Sequence, residues 1–358
     1  MRKTRSVRDT RRSLKPTAGL VCLVALLCTG CSAGDGTSDD TADDTADGTS
    51  DAAPPSSSTS SPSGTPETTT AYAPYVSATT AGDTDSSGAP STYNLAFVVA
   101  DGSDCTPVWG GTTDIDSEAV ASRIAKLKKT GGAVRVSFGG AAGKELALTC
   151  DSASRLAAAY AKVLDATGAT EADFDMEGDA LTDSASVARR SDAIALLQKE
   201  RGLKATFTLP AMPSGLTADS VALLDSANDH DARVSTVNIM AMNYGTSYTG
   251  DMGDYAITSA TKAHAQIKKA FRLSDRNAWQ GLAVTAMIGV NDVKGETFTL
   301  ADAARLRAYG EQKGLAWLSA WASSRDKQCA DGTSTAKARN SCSGVEQKAG
   351  AFAKTLSG

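Results

Sequence analysis

Residues 172–177, read as Ala-Asp-Phe-Asp-Met-Glu, place an acid at every second position of a short apolar run. Successive side chains of a β-strand point to opposite faces, so Asp173, Asp175 and Glu177 share one face. We call these three residues the acidic ladder. Amphipathic helical patterns flank the run on both sides, which favours a strand inside an α/β fold. The sequence therefore predicts that the apolar residues contact helices and that the ladder faces inward.

Three carboxyl groups on one face cannot all ionise without strong repulsion. At least one pKa should rise, and a proton should be shared among them. A carboxyl group that stays protonated near neutral pH can serve as a general acid. The residues alone leave two alternatives open: an edge strand whose acids face water, and a Mg²⁺ or Ca²⁺ site.

The acidic run is the fourth of eight short apolar runs that alternate with helical patterns. The predicted strands are Ala71–Val76, Asn94–Ala100, Ala133–Phe138, Ala172–Met176, Ala205–Leu209, Thr236–Met242, Leu282–Ile288 and Ala316–Ala320. The predicted helices are Ser117–Lys129, Ser154–Asp165, Ser184–Glu200, Ala218–Ser226, Ile257–Phe271, Ala301–Gln312 and Val345–Leu356. Eight alternating strands favour an α/β fold of the (β/α)8 TIM-barrel type. An open doubly wound sheet is the alternative, but no glycine-rich phosphate turn follows Val76.

The N-terminal region has the features of an export signal followed by a linker. Basic residues precede a short apolar run at 20–27, and small residues stand directly before Cys31. This pattern resembles a bacterial lipobox, which predicts residues 1–31 as a signal peptide and Cys31 as a lipidation site. Secretion with cleavage nearby is the alternative. Residues 32–70 contain almost only Asp, Ser, Thr, Gly, Pro and Ala, so we expect a disordered acidic linker before a catalytic domain at 71–358.

The net charge and the cysteines limit the possible binding partners and the cellular compartment of the protein. The formal net charge of −5 comes largely from the linker, and the absence of a basic stripe argues against nucleic acid. Four cysteines remain after the signal: Cys105, Cys150, Cys329 and Cys342. In an exported chain this even number predicts two disulfides. Sequence order suggests pairing the first two and the last two, although three pairings are possible. A zinc site is the alternative, but neither histidine lies near a cysteine pair with ligand spacing.

Further motifs accompany the acidic ladder along the chain. They are Ala71-Tyr72-Ala73-Pro74-Tyr75, Asn94-Leu95-Ala96-Phe97, Ser137-Phe138-Gly139-Gly140, Thr208-Leu209-Pro210, Met240-Ala241-Met242-Asn243-Tyr244, Met287-Ile288-Gly289 with Asn291 and Asp292, and Trp321 with Arg325 and Asp326. In the same order they resemble the strand motifs of glycoside hydrolase family 18, the chitinases and their relatives. The resemblance is strongest to the compact bacterial and archaeal branch.

The resemblance implies a role for each acid. Glu177 would protonate the leaving oxygen and later activate water, while the acetamido oxygen of the substrate sugar acts as nucleophile. Asp175 would orient the acetamido group, and Asp173 would adjust Asp175 from below.

The same resemblance implies a sugar-binding surface around the ladder. Tyr244 would donate its hydroxyl to the acetamido carbonyl, and Trp321 would form an apolar floor under the sugar; core packing is the alternative for both. Met242, Ser137 and Gly139 would complete the surroundings. Asn243 stands where many members have Asp. Its amide can hydrogen-bond the acetamido group but cannot carry the charge, which predicts a shifted pH profile or reduced activity.

The sequence thus predicts a monomeric chitinase-type glycosidase that cleaves β-1,4-linked N-acetylglucosamine chains and needs no metal or other cofactor. We expect it outside the cell or on the outer face of the membrane, attached only by the lipid. An endo-β-N-acetylglucosaminidase acting on N-glycans, a non-catalytic chitin-binding lectin and an unrelated metal-dependent barrel enzyme remain as alternatives. The choice between endo and exo action also stays open.

Overall fold

The eight apolar runs form the strands of one closed barrel in the computed structural model, which describes residues 70–358. The first barrel strand has two pieces: Ala71–Tyr72 pairs with the eighth strand, and Tyr75–Ser77 pairs with the second. This strand therefore joins the two edges of the sheet. The other barrel strands are Thr92–Ala100, Ala133–Gly139, Glu171–Asp175, Lys204–Met212, Val234–Ala241, Leu282–Met287 and Trp317–Trp321. All neighbouring barrel strands are parallel, so the predicted α/β barrel is confirmed.

Helices alternate with these strands and cover the outside of the barrel. They are Glu118–Lys129, Ala153–Thr167, Asp179–Thr182, Ser184–Arg201, Ala218–Asp229, Met252–Ala270, Asp275–Gln280, Leu300–Lys313 and Ala351–Ser357. The predicted start of the last helix at Val345 is wrong. Gly350 adopts φ 78°, a left-handed conformation that ends the preceding loop, and the helix begins after it. The sixth helix in this order starts five residues before its predicted start, because the Asp251 side chain caps it by accepting from the Asp254 amide.

The apolar face of the fourth strand packs against helices, as the alternation predicts. The Phe174 ring is fully buried and lies 5.2 Å from the ring of Tyr160 on the helix that precedes this strand. It also lies 5.5 Å from Phe138 and 5.7 Å from Phe207, on the two neighbouring strands. Aromatic clustering of this kind fixes the strand's orientation, since turning it over would bury the acids among the helices.

Short antiparallel additions extend the carboxyl end of the barrel. Pro107–Trp109 pairs with the end of the second strand, and Gly289–Val290 pairs with Thr297–Phe298 after the seventh. The carboxyl end of the strands is where barrel enzymes place their chemistry. These additions therefore build up the rim of the expected site.

Two disulfides hold loops at this end of the barrel. Cys105 is bonded to Cys150, and Cys329 to Cys342, which is the pairing that sequence order suggests. The first bond ties the loop after the second strand to the start of the helix Ala153–Thr167. The second closes a loop beyond the eighth strand.

Removing the Cys105–Cys150 disulfide should lower the free energy of unfolding more than removing Cys329–Cys342. Its cysteines are 45 residues apart, and closing a loop of that length lowers the entropy of the unfolded chain by an amount equivalent to about 4 kcal/mol. Unfolding in guanidinium should show this loss for the Cys105→Ser/Cys150→Ser variant. The Cys329→Ser/Cys342→Ser variant, whose loop spans 13 residues, should lose about 3 kcal/mol and serves as the comparison. Unchanged midpoints for both variants would contradict this expectation.

The predicted signal peptide, the lipidation site at Cys31 and nearly all of the linker lie outside the described residues. Thr70, which the prediction assigns to the linker, is buried, and its carbonyl accepts a 2.6 Å hydrogen bond from Arg307 Nη1. The ordered domain therefore includes Thr70. From this residue to the end of the chain, no helix has both the length and the apolar character needed to cross a bilayer.

Candidate active site

The acidic ladder lies at the carboxyl end of the fourth strand. Asp173 and Asp175 occupy the strand and are 1% and 4% exposed, whereas Glu177 follows it and is partly exposed. The exposure rises along the ladder toward the mouth of the barrel. Glu177 is therefore the acid that an incoming molecule can reach.

Asp173 is a fixed hydrogen-bond acceptor deep in the barrel. Its carboxylate accepts from the Tyr75 hydroxyl at 2.8 Å, from Thr208 Oγ1 at 2.6 Å and from the Ser137 hydroxyl. These donors come from the first, fifth and third strands. Asn238 on the sixth strand continues the network, since its Nδ2 donates to Thr208 Oγ1 at 2.9 Å. Burial raises the pKa of Asp173, and the three hydrogen bonds oppose that rise.

Asp175 stands between the other two acids with little to stabilise a charge. Its Oδ1 is buried and finds no hydrogen-bond donor within residues 70–358. Burial raises its pKa well above the ordinary value, and the negative charges of Glu177 and Asp173 raise it further. A buried acceptor without a donor costs about 1–3 kcal/mol. A bound molecule that offers an N–H or O–H to this oxygen would recover that energy.

Glu177 holds its proton more strongly than a free glutamate. Burial of the carboxyl raises its pKa, and the group still reaches the open end of the barrel. A raised pKa together with access to solvent is the combination that a general acid requires.

A cleft of about 480 Å³ opens in front of Asp175 and Glu177. The Trp321 ring stacks on Phe97 with centroids 5.5 Å apart and meets the edge of Tyr75 at 5.8 Å. These three rings line the cleft together with Met240, Met242 and Met287. An apolar floor beside carboxyl groups suits a ligand with flat C–H faces and polar edges, as a pyranose has. Trp321 and Met242 therefore lie where a sugar-binding role needs them.

Ser137 and Gly139 do not line the cleft but lie behind it, beside the acidic ladder. The Ser137 hydroxyl is buried and donates to Asp173. Gly139 has φ 94°, and a Cβ at this position would lie 2.2 Å from the carbonyl oxygen of Asp175. Both residues support the acids from behind: one by a hydrogen bond and the other by leaving room for the fourth strand.

Tyr244 also lies away from the cleft, so the hydroxyl contact that the resemblance implied is not supported. Its ring is 4% exposed and packs against Tyr248 at 5.9 Å and Tyr255 at 5.8 Å. Its pKa is raised because the hydroxyl is buried and lies near the negative charge of Glu296. The cause is the backbone of Asn243, whose φ of 52° breaks the strand alternation and turns the next side chain into the core.

Asp292 and Asn340 are among the cleft residues that received no role from the sequence. Asp292, in the hairpin after the seventh strand, lines one wall, and Asn340, in the loop closed by Cys329–Cys342, lines another part. Asp292 belongs to one of the sequence motifs, so its place near the site could have been predicted. Asn340 carries no such signal, because its place depends on the disulfide and on the Arg325 side chain, which donates to the Arg339 carbonyl oxygen.

The described residues contain no group of three or more His, Cys, Asp or Glu side chains arranged to hold a metal ion. The arrangement that they do contain can deliver a proton from Glu177 to a group lying over the aromatic floor. A closed parallel barrel with paired acids at the end of a strand and an aromatic floor beside them defines a barrel of the glycoside hydrolase type.

Comparison with known proteins finds similarity to chitinases. No protein family model matches the chain. The chain is 31% identical over 275 residues to the probable bifunctional chitinase/lysozyme of Escherichia coli (strain K12). The match includes 71% of this chain and 31% of that protein. The chain is 30% identical over 274 residues to Endochitinase 11 of Metarhizium anisopliae and covers 52% of it. The chain thus spans about a third and about half of the lengths of these two curated relatives.

A solved structure agrees with these relatives. The active domain 2 of the thermostable chitinase from Pyrococcus furiosus, crystallised as catalytic-site mutants with chito-oligosaccharides, superposes with a TM-score of 0.71 at 28% identity. The match covers 80% of this chain and 92% of that one. In sequence and in fold, the chain is thus similar to chitinases.

Proposed function

We propose that this protein is a chitinase that hydrolyses β-1,4 linkages between N-acetylglucosamine units. The observation that carries the proposal is the pairing of Asp175, whose buried Oδ1 has no donor within residues 70–358, with the partly exposed Glu177 beside it. The relatives support this substrate, since they are chitinases by name and the Pyrococcus domain was crystallised with chito-oligosaccharides.

The first step uses the proton of Glu177. This proton passes to the glycosidic oxygen as the bond between the anomeric carbon and that oxygen breaks. The acetamido oxygen of the same sugar attacks the anomeric carbon from the opposite face and forms an oxazolinium ion. Holding this internal nucleophile in place supplies much of the rate enhancement. The family thus departs from the scheme in which a protein carboxylate is the nucleophile.

The second step reverses the proton flow. The Glu177 carboxylate takes a proton from water, whose oxygen attacks the anomeric carbon and opens the oxazolinium ring. Two displacements at one carbon give a product with retained configuration. One residue thus acts first as acid and then as base.

The remaining ladder residues stabilise the charge that develops. Asp175 accepts the acetamido N–H with its free oxygen, which turns the amide so that its carbonyl oxygen faces the anomeric carbon. Its negative charge stabilises the cationic intermediate, an electrostatic contribution that is large in a water-poor site. Three hydroxyl donors hold Asp173, which keeps Asp175 at a fixed position along the barrel axis.

Hydrolysis of chitohexaose by the purified protein tests this proposal. Mass spectrometry of the products should show shorter N-acetylglucosamine oligomers, and their size distribution separates endo from exo cleavage. An N-glycan with an intact chitobiose core should stay uncut. Cleavage of that glycan alone would assign the enzyme to N-glycan processing, and chitin binding without any hydrolysis would make it a lectin.

The pH profile provides a second test of the role of Glu177. The acid must be protonated, and burial raises its pKa. Activity should therefore extend well above the ordinary glutamate pKa of about 4.3 and fall as Glu177 ionises. Removing the charge of Asp175 makes ionisation of Glu177 easier, so kcat/KM of the Asp175→Asn variant should fall at lower pH. An alkaline limb that does not move would argue against coupling between the two carboxyls.

We also propose that the protein is exported as a monomer and anchored by a lipid on Cys31. The basic and apolar segments before Cys31 and the small residues next to it support this location. Metabolic labelling with a radioactive fatty acid should mark the protein, and Cys31→Ser should abolish the label. Release of the unsubstituted protein into the medium without label would favour ordinary secretion.

A further inference from the structure

The cleft contains a third carboxylate to which the mechanism gives no role. Asp292 lies in the hairpin Gly289–Val290 and Thr297–Phe298, and lines the cleft together with Asp175 and Glu177. Its side chain is exposed, and within residues 70–358 its Oδ1 has no hydrogen-bond donor from the protein. Its Oδ2 accepts a 3.3 Å hydrogen bond from Asn243 Nδ2. One oxygen is therefore held by the protein while the other stays available to a ligand.

Asn243 also lines the cleft, and its side-chain amide contacts this hairpin. Its Oδ1 accepts the backbone N–H groups of Asp292 at 3.0 Å and Val293 at 3.3 Å. Its Nδ2 donates to Asp292 and lies 3.9 Å from the Met287 sulfur. An aspartate at 243 could accept the same backbone donors, but its charge would repel the Asp292 carboxylate. The amide at 243 is thus the partner that a carboxylate at 292 requires.

Arg325 supports Asp292 from the protein side. The guanidinium is 1% exposed and donates to the Ile288 carbonyl oxygen at 3.0 Å, in the segment that leads to the hairpin. The Arg325 guanidinium lies close enough to Asp292 for the opposite charges to attract. No Lys, Arg or His side chain of the described region lines the cleft itself. Without a cationic partner among these lining residues, the open oxygen of Asp292 can accept from water or from a donor on the ligand.

We propose that Asp292 is a substrate-positioning residue that accepts a hydrogen bond from a hydroxyl group of the bound sugar chain. Asn243 holds the Asp292 side chain in the orientation that this contact needs. The inference rests on the proposed function, because it assumes a sugar in the cleft. An ionised carboxylate offers only acceptors, and the hydroxyls of a sugar are its most abundant donors.

Steady-state kinetics on chitotetraose tests this assignment. Asp292→Ala should raise KM about tenfold, the scale of one lost hydrogen bond to a charged group, and leave kcat within about threefold. Asn243→Ala should raise KM similarly, and the double variant should be no worse than either single one, because both remove the same contact. Lys294→Ala, an exposed change in the same hairpin, is the matched control and should leave both constants unchanged.

Binding of chitotetraose to the Glu177→Gln protein, measured by calorimetry, separates this inference from the proposed function. Adding Asp292→Ala to that protein should weaken binding about tenfold. A protein that binds and cuts normally without the Asp292 carboxylate would overturn the inference alone. A protein that binds no chitotetraose would overturn the inference and the proposed function together. Thermal unfolding of each variant within a few degrees of the parent excludes misfolding as the cause of a raised KM.

Discussion

Glu177→Gln is expected to lower kcat on chitotetraose by about 10³-fold or more, because general acid and base catalysis contribute about 10²–10⁴ and this residue supplies both. Glutamine keeps the shape of the side chain but cannot donate a proton to the glycosidic oxygen or take one from water. The affinity for the oligosaccharide should change little, since the floor of Trp321, Phe97 and Tyr75 remains.

The measurement is product formation over hours, with binding followed separately by calorimetry. Glu200→Gln, an exposed change near the end of the helix Ser184–Arg201, controls for the general effect of losing a negative charge and should keep full activity. Equal rates for Glu177→Gln and the unsubstituted protein would remove Glu177 from the mechanism.

Asp175→Asn is expected to impair catalysis and to stabilise the fold. The amide cannot stabilise a cationic intermediate by charge, and the loss of one such group costs about 10²–10³ in kcat. The same charge is unfavourable for folding, because Asp175 is buried between two other carboxyls. Replacing it with a neutral side chain of the same shape removes that repulsion, and we expect a gain of about 0.5–2 kcal/mol.

The gain in stability should depend on pH in a defined direction. The folded pKa of Asp175 is raised, so the folded state holds its proton more tightly than the unfolded chain does. Its contribution to stability is complete below the ordinary aspartate pKa of about 3.9 and is lost as the pH rises toward the folded value. The Asp175→Asn variant does not titrate at this position. Its advantage in melting temperature should therefore be small near pH 4 and larger near pH 7.

Thermal unfolding at several pH values tests this expectation, with kcat measured on the same samples. Asp83→Asn, an exposed change outside the cleft, is the control and should alter neither quantity. A destabilised Asp175→Asn protein would mean that the ionised carboxylate is held by favourable contacts, which the buried and unpaired Oδ1 argues against.

The barrel and the ladder could be predicted because local pattern determines them. Alternation along residues 172–177 requires one face of acids and one of apolar groups, and the aromatic contacts of Phe174 fix which face meets the helices. The same reasoning located all eight strands. Each motif lies on a strand or soon after one, so its approximate place followed from the strand order.

Prediction failed where one backbone angle decides the outcome. The strand predicted to end at Met242 ends at Ala241, and the left-handed backbone of Asn243 directs Tyr244 into the core. Asn tolerates this conformation better than most residues, but many Asn residues never adopt it. The amide of Asn243 is held by the hairpin at Asp292, a contact across 49 residues that no local pattern reveals.

The remaining cleft walls depend on contacts of the same long range. Asn340 reaches the cleft because the Cys329–Cys342 bond closes its loop and Arg325 holds the adjacent carbonyl. Similarly, the final helix starts at Ala351 because Asp326 accepts from the Phe352 and Ala353 amides there. Helical periodicity alone extended that helix back to Val345, where no such cap exists.

The central claim is that Glu177 acts with the substrate's own acetamido group, held by Asp175. The most direct test compares release of nitrophenol from two β-glycosides by the purified protein: nitrophenyl chitobioside, which carries the acetamido group, and nitrophenyl cellobioside, which has a hydroxyl in its place. The account predicts release from the chitobioside and none above background from the cellobioside. Comparable rates on the two substrates would show that the acetamido group is not the nucleophile and would contradict the account.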